Sequence, residues 1–101
     1  MIERVVMIKL KEEFTTPNRL AEVIDESTRV LNGLDLVIQA KVGHAADEAT
    51  AGEWDVVLLV RFEDIEDLGP YAKDPDHRAY VDDFLMPRLE AIQAHNFVIE
   101  V

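Results

Sequence analysis

The chain has 101 residues, 10 of them basic and 21 acidic, which gives a formal net charge of −11 at pH 7. This length predicts one domain, residues 1–101, that buries roughly 60 to 70% of the unfolded chain's surface. Cysteine is absent, which excludes disulfides and thiolate metal sites. The acidic charge disfavours phosphate backbones and anionic lipid, so we expect no nucleic-acid or membrane partner. Because no apolar run is long enough for a signal peptide or a membrane span, we expect a cytoplasmic protein.

The first half of the chain predicts a strand, a helix and two more strands. Alternate positions in residues 2–11 place Ile2, Arg4, Val6, Ile8 and Leu10 on one face, which is typical of a strand with one buried face. A helix is predicted to begin at Pro17, with Ser27 among its buried residues, and to end just before Asn32 and Gly33. Strands follow over residues 34–43 and 54–62, separated by a small, acidic loop.

The second half predicts two helical segments and a closing strand. Asp64 is placed to cap a short helix. Asp74 is placed to cap a longer helix that reaches about Gln93, with a bend near Pro87 because proline lacks the N–H that a helix uses. Residues 97–101 predict the last strand.

The resulting order, β-α-β-β-α-β, predicts an α+β ferredoxin-like fold with both helices on one face of an antiparallel sheet. The other face is predicted to carry six apolar side chains: Val5, Met7, Val37, Val57, Leu59 and Val98. So many together exceed the apolar patch that a monomer usually exposes. We therefore expect a homodimer in which two sheets pack face to face around a two-fold axis.

The stretch YAKDPDHRAYVDDFL, residues 71–85, places His77 on the apolar stripe of the second helix. Its position in the first helical turn, together with partial burial, favours the neutral imidazole that a general base requires. The alternative is a core histidine satisfied by a backbone carbonyl or by Tyr71. Tyr71 could likewise be packing with its hydroxyl at a rim.

Arg4 lies on the apolar face of the first strand, where an isolated charge would be costly. Either its guanidinium reaches solvent at the end of the strand, or it meets a carboxylate or an anionic ligand in a pocket. The predicted apolar walls of that pocket, between sheet and helices, are Trp54, Phe84, Leu58 and Ile38.

The strand Val5 to Lys11, the pattern Tyr-x-x-x-Pro-x-His at Tyr71, Pro75 and His77, and the inner Pro87 resemble the stress-responsive A/B barrel domain family, often called Dabb. The resemblance implies a dimeric α+β barrel. In a plant polyketide cyclase of this family, a tyrosine and the motif histidine act at the mouth of a pocket together with a histidine of the first strand. Tyr71 and His77 match by position and are the implied catalytic residues, whereas Arg4 stands where the first-strand histidine would be.

Three functions remain open from the sequence. The first is a homodimeric protein that binds a small aromatic or polyketide-like acid without chemistry of its own. The second is an acid/base enzyme, a cyclase or isomerase, with His77 as base and Tyr71 as donor. The third is a cofactor-free monooxygenase, which rests on the shared barrel architecture alone. We expect no cofactor, and no metal because His44, His77 and His95 lie on separate elements.

Overall fold

The computed structural model describes residues 1–100. The strands are β1 (Ile2–Leu10), β2 (Gln39–His44), β3 (Val56–Phe62) and β4 (Leu89–Val98). The α-helices are α1 (Pro17–Asn32), α2 (Glu48–Ala51), α3 (Leu68–Lys73) and α4 (Pro75–Ala79). Helix α4 continues as a π-helical segment, Tyr80–Leu85, and single 3-10 turns lie at Glu12–Phe14, Ile65–Asp67 and Met86–Arg88.

The four strands form one antiparallel sheet in the order β2-β3-β1-β4. The first and third strands are central, so the sheet has the ferredoxin-like arrangement that the order of elements predicted. The fold class is therefore confirmed.

Helices cover one face of this sheet and leave the other open. The core lies under the helices, where alternate residues of β1 and β3 are buried, among them Ile8, Leu10, Val56, Val60 and Phe62. Helix α1 contributes Val23, Ser27 and Leu31 to this core. The hydroxyl oxygens of Ser27 and Tyr80 lie 2.6 Å apart in a buried hydrogen bond between α1 and the π-helical segment.

The sequence prediction was wrong about the end of the second helix. Helical structure ends at Arg88 and β4 begins at Leu89, so the residues expected to complete the helix up to Gln93 instead form a strand. Along almost its whole length β4 pairs with β1, from Leu10 opposite Leu89 to Ile2 opposite Val98. This ladder overrides the helical propensity of the segment, as tertiary context often does. Of the predicted last strand, residue 101 lies outside the described residues.

The second strand is also shorter than predicted, since pairing begins at Gln39 rather than at residue 34. Val37 precedes the strand and packs against the core, and Val98 lies opposite Ile2 on the helix side. Neither belongs to the open face, where the prediction placed them. Phe97 does lie there, opposite Glu3.

The apolar patch of the open face therefore consists of Val5, Met7, Val57, Leu59 and Phe97, which we call the open-face patch. Val5 faces Leu59 and Met7 faces Val57 across the central strand pair, so these four side chains are contiguous. In residues 1–100, no helix has both the length and the apolar character needed to cross a membrane.

Candidate functional site

Tyr71 and His77 are brought together by the break between α3 and α4. Asp74 turns the chain there, and its Oδ1 accepts hydrogen bonds from the backbone N–H groups of Asp76 (2.8 Å) and His77 (3.4 Å). The predicted capping role of Asp74 is therefore confirmed. The rings of Tyr71 and His77 lie with their centroids 4.1 Å apart at an angle of 42°. The Tyr71 ring also packs edge-on against Phe62 at 4.8 Å, so it is fixed to the end of β3.

Burial keeps both rings neutral near pH 7. It raises the pKa of Tyr71 to about 12, against a smaller lowering effect from Arg4. The pKa of His77 is lowered, chiefly by burial, partly offset by the backbone carbonyl of Ala72 and reinforced by Arg78 and Arg4. Nδ1 of His77 is buried and has no hydrogen-bond partner within residues 1–100. The Ala72 carbonyl acts on the pKa of the ring, but neither this carbonyl nor Tyr71 meets hydrogen-bond geometry at Nδ1.

Arg4 belongs to the same cluster. It is close enough to lower the pKa of both rings, and its Nη1 donates a 3.0 Å hydrogen bond to Oδ1 of Asn96 on β4. Among the described residues no carboxylate forms a salt bridge with Arg4. Solvent, a carboxylate and an anionic ligand were the predicted environments of this cation. Within residues 1–100 the carboxylate is ruled out, which leaves solvent or an anionic ligand.

Sequence analysis missed Asn96, because its region was expected to be a loop between a helix and the last strand. The register of β4 places Asn96 directly opposite Arg4. Alternation of apolar and polar side chains from Ile92 to His95 was the available signal, and it breaks at Asn96 itself. We call Arg4, Tyr71, His77 and Asn96 the polar cluster.

The predicted apolar walls are mostly elsewhere. Leu58 is buried on the helix side in the core, as expected for that face. Ile38 is 51% exposed just before β2, on the sheet edge opposite β4. Phe84 stacks on Tyr80 at 6.0 Å and carries the guanidinium of Arg88 over its ring at 3.9 Å.

Trp54 also lies away from the polar cluster, with which the prediction had grouped it. It precedes β3 at the end where its neighbour Asp55 bonds to Ile8, whereas Tyr71 contacts Phe62 at the other end of that strand. Trp54 lines a cavity with Met7 and Val57 of the open-face patch.

Three cavities are prominent, and Tyr71, His77 and Arg4 line none of them. A groove of about 550 Å³ runs between α1 and the π-helical segment, with Tyr80 and Phe84 in its wall, and a neighbouring one of about 500 Å³ shares Phe84. The third, of about 310 Å³, is the cavity that contains Trp54. The polar cluster instead lies beside the exposed helix-side face of β4. Within residues 1–100, no group of three histidine or carboxylate side chains is arranged to hold a metal ion.

The model of the stress responsive A/B barrel domain matches residues 2–99 of this chain. The chain belongs to that family. No curated protein sequence matches it significantly. Membership agrees with the resemblance seen in the motif of Tyr71, Pro75 and His77 and with the ferredoxin-like sheet.

Solved structures share the fold of this A/B barrel domain at low sequence identity. A Dabb family protein with a ferredoxin-like fold from Mesorhizobium loti superimposes with a TM-score of 0.80 at 19% identity, covering 99% of this chain and 97% of that one. A dimeric ferredoxin-like protein of unknown function from Thermobifida fusca gives 0.80 at 20% identity, with 97% and 90% covered. A hydroxynitrile lyase from Passiflora edulis gives 0.80 at 16% identity, with 98% and 93% covered. At such identities these likenesses establish the fold alone.

Proposed function

We propose that this A/B barrel domain is a homodimeric binding protein for a small aromatic or polyketide-like acid, and that the polar cluster holds the acid's carboxylate. Arg4 supplies the charge, Asn96 supports the guanidinium, and Tyr71 and His77 supply neutral polar groups beside it.

One observation carries this proposal: within residues 1–100, Arg4 is a cation without a carboxylate partner, in a chain of net charge −11. The other ionisable members of the cluster, Tyr71 and His77, are both neutral near pH 7. The cluster therefore carries one positive charge that no described group of the chain neutralises by direct contact. A planar guanidinium matches a carboxylate in a two-point hydrogen bond, which is the strongest pairing open to it.

The surroundings of Arg4 suit the apolar part of such an acid. On the helix-side face of β4, Asn96 is flanked by Ala94 and Val98, and both are exposed. Ile92 continues the same face and is 46% exposed. Ring and alkyl carbons of a ligand would bury these side chains, at roughly 25 cal/mol per Å² of apolar area removed from water.

The open-face patch supports the homodimer. Val5, Met7, Val57 and Leu59 are each only partly buried, and Phe97 is 53% exposed. The patch is rimmed by Lys41, Arg61 and Glu3, and Arg61 Nε donates to Glu3 at 3.1 Å, so charged side chains surround an apolar centre. Such a centre with a polar rim is typical of a protein interface. A second copy offers the same surface, and related structures of this fold are described as dimeric.

A binding titration tests the proposed ligand class. The probe is 2-naphthoate, with 2-naphthalenemethanol as its uncharged counterpart. We expect the wild-type protein to bind the acid at least tenfold more tightly than the alcohol, because only the acid pairs with Arg4. Arg4→Gln should abolish this preference.

The matched control is Arg19→Gln, which removes an arginine whose partner is Glu22 on the surface of α1. It should leave the preference unchanged. Equal affinity of wild type and Arg4→Gln for 2-naphthoate would contradict the proposal.

The unpartnered Nδ1 of His77 favours a second candidate, acid/base catalysis on such an acid. A neutral imidazole can accept a proton, and the Tyr71 hydroxyl, whose pKa is about 12, can donate a hydrogen bond to the developing anion. Solvent deuterium incorporation at the α-carbon of an arylacetate, measured by NMR, would reveal this step. Loss of incorporation in His77→Gln with retained binding would support it. The monooxygenase alternative gains no support from the polar cluster.

A further inference from the structure

A second site lies on the opposite side of the sheet. The loop from Ala45 to Asp55 turns toward the open face and is held there by Lys9, whose Nζ donates to the Ala51 carbonyl at 2.9 Å and lies 3.5 Å from Oδ2 of Asp55. Between this loop and the sheet is the cavity of about 310 Å³. Its loop side is formed by Ala45, Ala46, Thr50 and Trp54, and its sheet side includes Met7 and Val57.

This cavity and the open-face patch share Met7 and Val57. When a second copy covers the patch, it must therefore also approach the cavity. Because Met7 and Val57 belong to both, the second copy is the group placed to complete the wall of this cavity. This step rests on the homodimer proposed above.

We propose that the cavity is a binding site for a neutral aromatic molecule, completed by the second copy of the chain. Its size is at the lower end of the range for small-molecule sites, about 300–1,000 Å³. Trp54 supplies a flat apolar surface that favours stacking of another ring. The Thr50 hydroxyl and the His44 imidazole are polar groups in the wall that can orient one hydrogen-bonding substituent.

The ligand should be neutral because the charged groups at this site are already paired. Oδ2 of Asp55 accepts a 2.8 Å hydrogen bond from the backbone N–H of Leu10 and lies near the ammonium of Lys9. Lys9 in turn is anchored to the Ala51 carbonyl. Neither an anion nor a cation would find a free partner there, in contrast to Arg4 in the polar cluster.

Trp54 is the single tryptophan of the chain, so tryptophan fluorescence originates at this site. The probe is N-phenyl-1-naphthylamine, which is neutral, aromatic and able to accept energy from tryptophan. We expect saturable quenching of Trp54 emission with one probe per chain, and at least a tenfold loss of affinity in Ala45→Phe, which fills the cavity. Ala46→Phe serves as a second filling variant should Ala45→Phe not fold. Ala21→Phe, on the exposed side of α1, should bind the probe as the wild type does.

Leu59→Asp tests whether the partner contributes to binding, because Leu59 belongs to the open-face patch but does not line the cavity. A folded monomer of this variant should bind the probe at least tenfold more weakly than the native dimer. Equal binding by monomer and dimer, unchanged binding by dimeric Ala45→Phe, or a native dimer that binds no probe would each overturn the inference. The last result would mean that the partner itself fills the cavity. A monomeric native protein would instead refute the homodimer on which this site rests. The acid-binding site is tested separately, because Arg4→Gln should lose acid binding and still bind the neutral probe in this cavity.

Discussion

Leu59→Asp is the most informative change to the proposed dimer. Leu59 lies near the centre of the open-face patch, between Val5 on β1 and Lys41 on β2. Complete burial of a leucine is worth about 1.5–3 kcal/mol, and Leu59 is already partly covered in the single chain, so we take about 1.5 kcal/mol per copy. Two copies lose about 3 kcal/mol, which weakens dimerisation by roughly 150-fold.

Two introduced carboxylates add a desolvation cost of several kcal/mol each, of which Lys41 offsets a part. We therefore expect size exclusion with light scattering to give twice the chain mass for the native protein at micromolar concentration. The mass of Leu59→Asp should shift toward that of a single chain. The control is Ile65→Asp, which makes the same change at an apolar residue that is 53% exposed away from the open face. A monomeric native protein, or two variants that remain equally dimeric, would contradict the proposed role of the open-face patch.

Three further predictions concern stability and partners. Tyr80→Phe leaves the buried Ser27 hydroxyl without its 2.6 Å partner and should lower the free energy of unfolding by about 1–3 kcal/mol. The melting temperature should fall by roughly 4–8 °C per kcal/mol. Adding Ser27→Ala should recover part of this stability in thermal unfolding, and no recovery would argue against the hydrogen bond between the two hydroxyls. The pKa of His77 in the folded protein lies below its unfolded value of about 6.5, so the unfolded chain binds this proton first as the pH falls. The free energy of unfolding should therefore decrease as the pH drops below about 6.5. Urea titrations should show a smaller decrease for His77→Gln, and identical pH profiles would contradict the lowered pKa of His77. With a net charge of −11, the protein should show no binding to duplex DNA or anionic vesicles at physiological salt, and a salt-sensitive complex in either assay would contradict this.

The fold could be predicted from the sequence because its signals are local. Apolar runs typical of strands in residues 2–11 and 56–62, and the stripe of α1 through Val23, Ser27 and Leu31, indicate two strands and a helix without reference to the rest of the chain. These signals, with the order of elements, are sufficient for a ferredoxin-like sheet.

The end of the second helix could not be predicted in the same way. Leu89 and Ile92 fit the helical stripe that begins at His77, so periodicity alone favoured a longer helix. What decides the outcome is the long-range ladder of β4 with β1. The same error hid Asn96, since its contact with Arg4 exists only in that register.

The candidate site was predicted in part. The motif indicated Tyr71 and His77, and the structure brings their rings together beside Arg4. The apolar walls depended on which side of the sheet each residue faces. Trp54 lies just outside β3, where the strand's alternation no longer fixes the direction of a side chain, and this residue lines a cavity with Met7 and Val57 of the open-face patch.

NMR titration of the His77 ring, with and without 2-naphthoate, tests whether the polar cluster binds the carboxylate of an aromatic acid. We expect a pKa below about 6.5 in the free protein, because burial disfavours the charged ring. We also expect the bound carboxylate to raise this pKa, because a neighbouring negative charge favours the imidazolium. A free pKa above 6.5 would contradict the neutral ring, and a depressed pKa that saturating 2-naphthoate leaves unchanged would contradict the acid-binding site.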